Sequence, residues 1–123
     1  MKIKRMGNNK VLFVQDKKFK NFKISLNFKT PLDKETATLI ISGRLDTQTA
    51  PELENELDSL LAGLKELTFD MTNLEYVSSA GLRVILKAQK AMNTQGSMKL
   101  TGVNDSIMEV FDITGFLDIL TIE

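Results

Sequence analysis

The feature that most constrains this chain is the alternation, from residue 36 onward, of short apolar runs with segments of helical periodicity. In the helical segments, apolar residues recur every three or four positions, which places them on one helix face. A strand, a helix and a second strand in succession form a right-handed crossover that sets the two strands parallel. The alternation therefore predicts an α/β domain with a largely parallel sheet.

The residues before this alternation predict a hairpin. In FKISLNF, residues 22–28, apolar and polar side chains alternate with period two, as they do in a half-buried strand. TPLDKET contains Pro31 and Asp33 and predicts a turn, and ATLIISGRL predicts a second strand that is buried on both faces. With further strands at ELTFDM, SMKLTGV and LDILTIE, the predicted element order is β-β-α-β-α-β-α-β.

The predicted helices carry signals at their ends. Thr49, followed three residues later by Glu52, has the pattern of a capping box at the start of the first helix. The second helix covers AGLRVILKAQKAMNTQ. The third is predicted to begin near Asn104 or Asp105 and to end at Gly115.

The composition excludes several kinds of chemistry. The 123 residues suffice for one domain, and they include no histidine and no cysteine. A Ser–His hydrolase is therefore excluded, and so are disulfides and thiolate chemistry. No apolar run approaches the roughly 20 residues that span a bilayer, and no secretory leader is recognisable. We expect a cytoplasmic protein without a cofactor and without a membrane span.

The charges are unevenly distributed, although the net charge is zero. Residues 1–29 contain nine basic residues and one acidic residue, whereas the rest contains seven basic and fifteen acidic residues. This asymmetry suits a nucleic-acid or membrane contact, or a basic arm that is solvated or docked on the chain's own acidic body. We favour the arm, because no motif for reading nucleic acid accompanies the lysines. Residues 1–22 are interpreted as a basic extension, with a strand over 11–14, and residues 23–123 as the domain.

Two adjacent serines, Ser78 and Ser79, precede the second predicted helix in the sequence YVSSAGLRVIL. A serine at a helix start commonly accepts a backbone hydrogen bond as a cap. The same position also accommodates a phosphate, because free N–H groups and the helix dipole favour negative charge there. Ala80 and Gly81 add little bulk, so another protein can approach closely. These residues alone leave both roles open.

Two aspartates follow apolar runs. Asp46 comes after the residues GRL, and Asp70 ends a predicted strand before the residues MTN. They suit either acid–base or magnesium chemistry, or the capping of the turns that follow them. We favour capping, because neither has a second carboxylate at a suggestive local spacing. An enzyme would need a converging carboxylate pair, which the sequence gives no reason to expect.

Three blocks of sequence, SGRLDTQTAPELENEL, FDMTNLEYVSSAGLRVIL and VFDITGF, together resemble the STAS domain of bacterial anti-sigma factor antagonists. The resemblance covers roughly residues 23–123. It implies a small mixed, mostly parallel sheet with helices packed on one face. It also implies a non-enzymatic regulator, which binds an anti-sigma factor that is itself a serine kinase and thereby releases a sigma factor.

The resemblance also implies where the site lies. Aligned on Gly81 and Leu82, the serine that such kinases phosphorylate corresponds to Ser79, while Ser78 occupies the place of the family's aspartate. Arg83 is expected to be exposed, either meeting a partner carboxylate or remaining solvated. The implied partner-binding residues are Asp46, Thr47, Ser78, Ala80, Gly81, Leu82 and Arg83.

The implied mechanism is partner switching. Phosphorylation releases the anti-sigma factor, whose fold holds the nucleotide and Mg²⁺, and a phosphatase restores the unphosphorylated form. No contact with nucleic acid is expected. The alternative is a STAS module without phosphorylation, in a stress-signalling complex or a lipid-transport system, with the basic arm as a tether. Ser78 in place of the aspartate motivates that alternative.

Overall fold

The computed structural model describes residues 2–5, 11–28 and 35–123, with side chains described from 15 to 28 and from 35 to 123. The turn predicted over TPLDKET lies largely outside these ranges. The described elements, in chain order, are β1 (Lys2–Arg5), β2 (Val11–Phe19), β3 (Phe22–Phe28), β4 (Thr36–Leu45), α1 (Ala50–Leu60), β5 (Glu66–Val77), α2 (Ser79–Gln95), β6 (Ser97–Thr101), α3 (Asp105–Thr114) and a 3₁₀ turn (Phe116–Asp118).

The six strands form one mixed sheet in the order β1-β2-β3-β4-β5-β6. Neighbours from β1 to β4 pair antiparallel, and β4, β5 and β6 pair in parallel through the α1 and α2 crossovers. The α/β class and the mixed sheet are confirmed. The described antiparallel pairings outnumber the parallel ones, in contrast to the mostly parallel sheet expected, because the N-terminal segment adds two strands to the predicted order.

The core lies between the helices and one face of the sheet. Alternate residues of β3 are buried, and the residues between them are half-buried, as the period-two pattern predicted. In β4 the prediction of burial on both faces is wrong: Leu39 and Ile41 are buried, but Ile40 on the helix-free face is only half-buried. Both layers contribute fully buried side chains, including Leu53, Phe69, Met71, Ile85 and Phe111.

β5 is longer than the predicted ELTFDM strand and continues to Val77. Its register against β4 shifts after Ile40 and again after Gly43, which marks two bulges. The Asp70 carboxylate accepts hydrogen bonds from the backbone N–H of Thr72 at 3.0 Å and from its hydroxyl at 2.7 Å. Asp70 therefore stabilises an irregularity within the strand, rather than the turn after it that we predicted.

The C-terminal segment agrees with the prediction only in part. The Asn104 side chain accepts a backbone N–H at 2.9 Å and caps α3, which ends at Gly115 with a φ of 79°. The strand predicted over LDILTIE is instead a 3₁₀ turn, followed by a single parallel bridge between Ile122 and Leu100. Because Gly115 and the 3₁₀ turn reverse the chain, only the last residues reach β6.

The N-terminal segment takes part in the sheet. β2, which includes residues 11–14, pairs with β3 from Phe13 opposite Phe28 to Phe19 opposite Phe22. The Lys17 ammonium forms an ion pair with Glu56 of α1. At least one basic residue therefore docks on the chain's own acidic body. The division of the chain at residue 22 stays a prediction. Within the described ranges, no helix combines the length and apolarity needed to cross a bilayer.

Candidate functional site

The carboxyl-terminal ends of β4 and β5 meet at one edge of the sheet. Leu45 and Val77 are paired there, and the Ser78 N–H donates to the Leu45 carbonyl oxygen at 2.8 Å. Each strand leads into a helix start, β4 through the turn at 46–49 into α1 and β5 through Ser78 into α2. The two sequence segments that hold the predicted site residues are therefore adjacent in space.

The two serines differ in what their hydroxyl groups contact. Ser78 is the N-cap of α2, and its hydroxyl oxygen accepts the Gly81 N–H at 3.3 Å. Ser79 is the first helical residue and is exposed, and its hydroxyl has no hydrogen-bond partner in the described part of the chain. The two roles left open by the sequence are thus separated: Ser78 caps the helix, and Ser79 presents a free hydroxyl group.

Gly81 and Leu82 lie behind this surface. Both are buried, Leu82 with 6% of its surface exposed. A Cβ added at Gly81 would lie 2.7 Å from Cγ of Leu45 and 3.0 Å from Cγ2 of Val77, so the absence of a side chain lets α2 approach the strand ends. The contact of Gly81 and Leu82 with a partner stays a prediction. Gly81 and Leu82 position the start of α2, and neither offers a partner an accessible side chain.

The accessible residues form a surface that we call the serine edge. Thr47, Ser79 and Arg83 are exposed, and Asp46, Ser78 and Ala80 are half-buried. Between the starts of α1 and α2 runs a groove of about 210 Å³. Small and apolar side chains line it together with one acid and one base: Thr47, Ala50, Pro51, Ala80, Val84, Glu54 and Arg83. The groove has the size and lining to accept a side chain from another protein.

The start of α1 is held by Asp46 rather than by the predicted capping box. Thr49 has helical backbone angles, and its side chain makes no capping bond to α1. Instead its hydroxyl accepts the Asp46 N–H at 2.9 Å and donates to the Arg44 carbonyl oxygen at 2.7 Å. The Asp46 carboxylate accepts the N–H groups of Gln48 and Thr49 at 2.9 and 3.1 Å. The prediction that Glu52 completes a capping box is wrong. The Asp46 carboxylate already accepts the Thr49 N–H that the Glu52 side chain would bond in such a box.

These contacts also set the ionisation of Asp46. The Thr49 N–H hydrogen bond is the main cause that lowers the pKa of this carboxyl below its ordinary value, and the Gln48 N–H, the Thr49 hydroxyl and the Arg44 charge act in the same direction. Partial burial opposes them. Asp46 accepts hydrogen bonds from the turn that follows it, so its capping interpretation is confirmed, whereas Asp70 bonds to Thr72 within β5.

One contact beside the serine edge was not predicted. The Arg44 guanidinium lies 4.2 Å from the centre of the Tyr76 ring, and Tyr76 is 40% exposed. The two residues are paired across β4 and β5 only because the second bulge shifts the register. The sequence places an arginine and an aromatic residue near the site, but it does not reveal this pairing. Such cation–π contacts fix an otherwise mobile cation.

The fold and this edge together identify the family. The sequence model of the STAS domain matches residues 27–123. The chain belongs to the STAS domain family. The match begins within β3, so β1 and β2 of this STAS protein lie outside the matched residues.

Two relatives match most of the STAS protein. BtrV of Bordetella bronchiseptica, named as an anti-sigma factor antagonist, is 36% identical over 98 residues, which cover 76% of this chain and 84% of BtrV. An anti-sigma-B factor antagonist of Staphylococcus aureus is 30% identical over 99 residues, which cover 79% of this chain and 92% of that protein. Both belong to the class of regulatory binding proteins that the sequence blocks implied.

A solved structure supports the same fold. The phosphorylated form of the Bacillus cell fate determinant SpoIIAA matches with a TM-score of 0.61 and 14% identity, covering 83% of this chain and 90% of that chain. The unphosphorylated form of SpoIIAA matches with a TM-score of 0.66, covering 87% of that chain. At this identity the likeness concerns the fold, and it confirms the predicted STAS architecture.

Proposed function

We propose that this STAS protein is an anti-sigma factor antagonist switched by phosphorylation of Ser79. Unphosphorylated, it binds an anti-sigma factor that is also a serine kinase, and a sigma factor is released. Phosphorylated, it loses that partner until a phosphatase removes the phosphate. The observation that carries the proposal is the exposed, unbonded hydroxyl of Ser79 beside a serine that already caps the helix. This role places the protein in the cytoplasm.

The position of Ser79 suits a switch that acts on binding. In the transfer, its hydroxyl loses a proton to the kinase, the oxygen bonds to the γ-phosphorus of ATP, and ADP leaves. The new group carries about −1.5 to −2 charges at neutral pH. At the first position of α2 it faces unpaired N–H groups and the positive end of the helix dipole, so the helix tolerates it. The modification therefore changes the surface rather than the fold.

The serine edge supplies the features that a partner would recognise. The groove accepts a side chain, and Arg83, one helical turn after Ser79, offers an exposed cation to a partner carboxylate. A dianion on Ser79 would draw Arg83 toward itself and would add negative charge near Asp46 and Glu75. Both effects weaken the contact with an acidic partner surface. The family resemblance and the named relatives support the identity of that partner as an anti-sigma factor.

The probe for the test is a serine kinase of the histidine-kinase-like ATPase fold, taken from the genome that encodes this protein. Binding is measured by calorimetry for wild type, Ser79→Ala and a chain with phosphoserine incorporated at position 79. Phosphoserine at position 106, an exposed serine in the first turn of α3, is the matched control. We expect Ser79→Ala to bind like wild type, phosphoserine at 79 to abolish binding, and phosphoserine at 106 to leave it intact. Equal binding by both phosphorylated chains would refute the switch.

The second candidate is a STAS module that binds through the same edge without phosphorylation, in a stress-signalling complex or a lipid-transport system. It is favoured by Ser78, which stands where the family has an aspartate. The intact mass of the protein from its own cells, in growth and under stress, separates the two. A species with one phosphate supports the switch, and an unmodified protein in every condition supports the module.

A further inference from the structure

The tip of the β2–β3 hairpin carries a cluster of cations beside the serine edge. Lys18 of β2 lies directly opposite Lys23 of β3, and Lys20 occupies the turn between the strands. Arg44 lies two residues beyond the β4 partner of Lys23. We call Lys18, Lys20, Lys23 and Arg44 the cationic corner. Among the described residues, none of its three lysines forms an ion pair.

This arrangement has a cost in the isolated chain. Like charges directly opposite each other on antiparallel strands destabilise the pair. The neighbouring Lys17 is neutralised by Glu56, but no such partner serves Lys18 or Lys23 within the described ranges. Asp16, two residues before Lys18 on the same face, is engaged by the Ser25 hydroxyl at 2.6 Å. The corner still keeps a net positive charge, because Asp16 is one carboxylate beside three lysines and Arg44.

The corner is fixed to the serine edge by the backbone. The Arg44 N–H donates to the Asn21 carbonyl oxygen at 2.8 Å. Gly43 has a φ of +90°, and a Cβ there would lie 2.2 Å from that same oxygen. The hairpin tip thus rests on the segment of β4 that leads into the Asp46 turn. The tip is therefore attached to the site through the sheet and is not a separate arm.

A groove at the corner gives the cations a common target. It has a volume of about 300 Å³ and is lined by Lys18, Lys23, Ser42 and Phe19, among other residues. Two ammonium groups and a hydroxyl group in one groove suit carboxylates. An anionic bilayer fits less well, because the acidic side chains of Asp46 and Glu75 share this end of the sheet.

We propose that the cationic corner binds an acidic segment, with two or more Asp or Glu residues, of the protein that docks on the serine edge. The identity of that protein rests on the proposed function, but the chemistry of the corner does not. Lys18, Lys20 and Lys23 lie outside the residues matched by the STAS family, 27–123. We expect these lysines to help this protein distinguish its own partner from related anti-sigma factors. Steering by exposed charges acts chiefly on the association rate and on its salt dependence.

A titration of the ¹⁵N-labelled full chain with a hexaglutamate peptide tests the corner by itself. We expect saturable shifts of the amide signals from Lys18 to Lys23 and at Ser42. They should disappear in Lys18→Glu/Lys23→Glu, weaken in Lys18→Gln/Lys23→Gln, and persist in Lys90→Glu. Lys90 is the matched control, because it is an exposed lysine without an ion pair in the described ranges, about 17 Å along α2 from Ser79. No saturable shift at the corner would overturn the proposal.

The association rate with the kinase probe tests the corner in the complex. We expect Lys18→Glu/Lys23→Glu to slow association about tenfold at low salt, and Lys90→Glu to leave the rate unchanged. An unchanged rate, with phosphoserine at 79 still abolishing binding, would overturn the corner and leave the switch intact. If phosphoserine at 79 had no effect while peptide binding was retained, the switch would be overturned and the corner would stand. Binding to phosphatidylglycerol vesicles that the double variant loses, without peptide binding, would assign the corner to membranes.

Discussion

The starts of α1 and α2 lie at the same edge of the sheet but are built in different ways. At α1, the side chains of Asp46 and Thr49 are occupied by one another and by the backbone, and Thr49 is only 5% exposed. At α2, Ser78 alone caps the helix, and Ser79 keeps a free hydroxyl group. The first helix start is a support closed by its own hydrogen bonds, and the second exposes a hydroxyl group beside it.

This difference explains why a modification at α2 need not disturb the fold. Among the described residues, the Ser79 hydroxyl makes no hydrogen bond that phosphorylation would break. The support at α1 fixes Thr47 and the α1 side of the groove through hydrogen bonds that do not involve Ser79. Predictions about the two helix starts should therefore separate stability from binding.

The largest effect is expected at the support. Thr49→Val removes the hydroxyl that donates to the Arg44 carbonyl oxygen and accepts the Asp46 N–H, and leaves both groups without that partner in a partly buried place. We expect a loss of about 2–3 kcal/mol in the free energy of unfolding, measured by urea denaturation. Thr47→Val, at an exposed neighbouring threonine, is the control and should cost less than about 0.5 kcal/mol. Equal losses for the two variants would mean that the support is not built as described.

A smaller effect should distinguish the two serines. Ser78→Ala removes the cap of α2 and should lower the free energy of unfolding by about 1 kcal/mol. Ser79→Ala removes no hydrogen bond seen in the described residues and should stay within about 0.5 kcal/mol of wild type. Thermal and urea unfolding of both variants provide the measurement. A greater loss for Ser79→Ala would reverse the assignment of cap and free hydroxyl.

The smallest effect concerns pH. The folded-state pKa of Asp46 is lowered, so its ionised form stabilises the fold above the unfolded pKa of about 3.9, and this contribution is lost as pH falls through the folded pKa. Wild type should therefore lose stability between pH 5 and lower values more steeply than Asp46→Asn. Urea midpoints measured from about pH 6 down to about pH 3 test this. Parallel curves for the two proteins would show that Asp46 is not stabilised by its turn.

The sequence predicted what depends on local pattern. Period-two alternation located β3, and Asn104 and Gly115 located both ends of α3. The serine motif located the start of α2, where the proposed site lies. Thr49 and Glu52 fit the capping-box pattern, but the box does not form. An aspartate three residues before Thr49 competes for the same N–H groups. The spacing of Asp46 and Thr49 was the signal that could have revealed this.

Features set by pairing between strands were not predictable in the same way. The residues MTN resemble a turn, yet the chain continues in β5. The Asp70 carboxylate accepts the N–H and hydroxyl of Thr72 at the bulge and so stabilises it. The Arg44–Tyr76 contact depends on a second bulge that no local pattern indicates. Likewise, the last strand is reduced to a bridge, because the turn after Gly115 uses the residues that would have extended it.

Ser79, and not its neighbour Ser78, is the residue proposed to switch this STAS protein. The most direct test incubates wild type, Ser78→Ala and Ser79→Ala with the serine kinase from the same genome, ATP and Mg²⁺, and maps phosphate by fragmentation mass spectrometry. We predict one phosphate on Ser79 in wild type and in Ser78→Ala, and none in Ser79→Ala. Phosphate on Ser78, or undiminished phosphorylation of Ser79→Ala, would contradict the account.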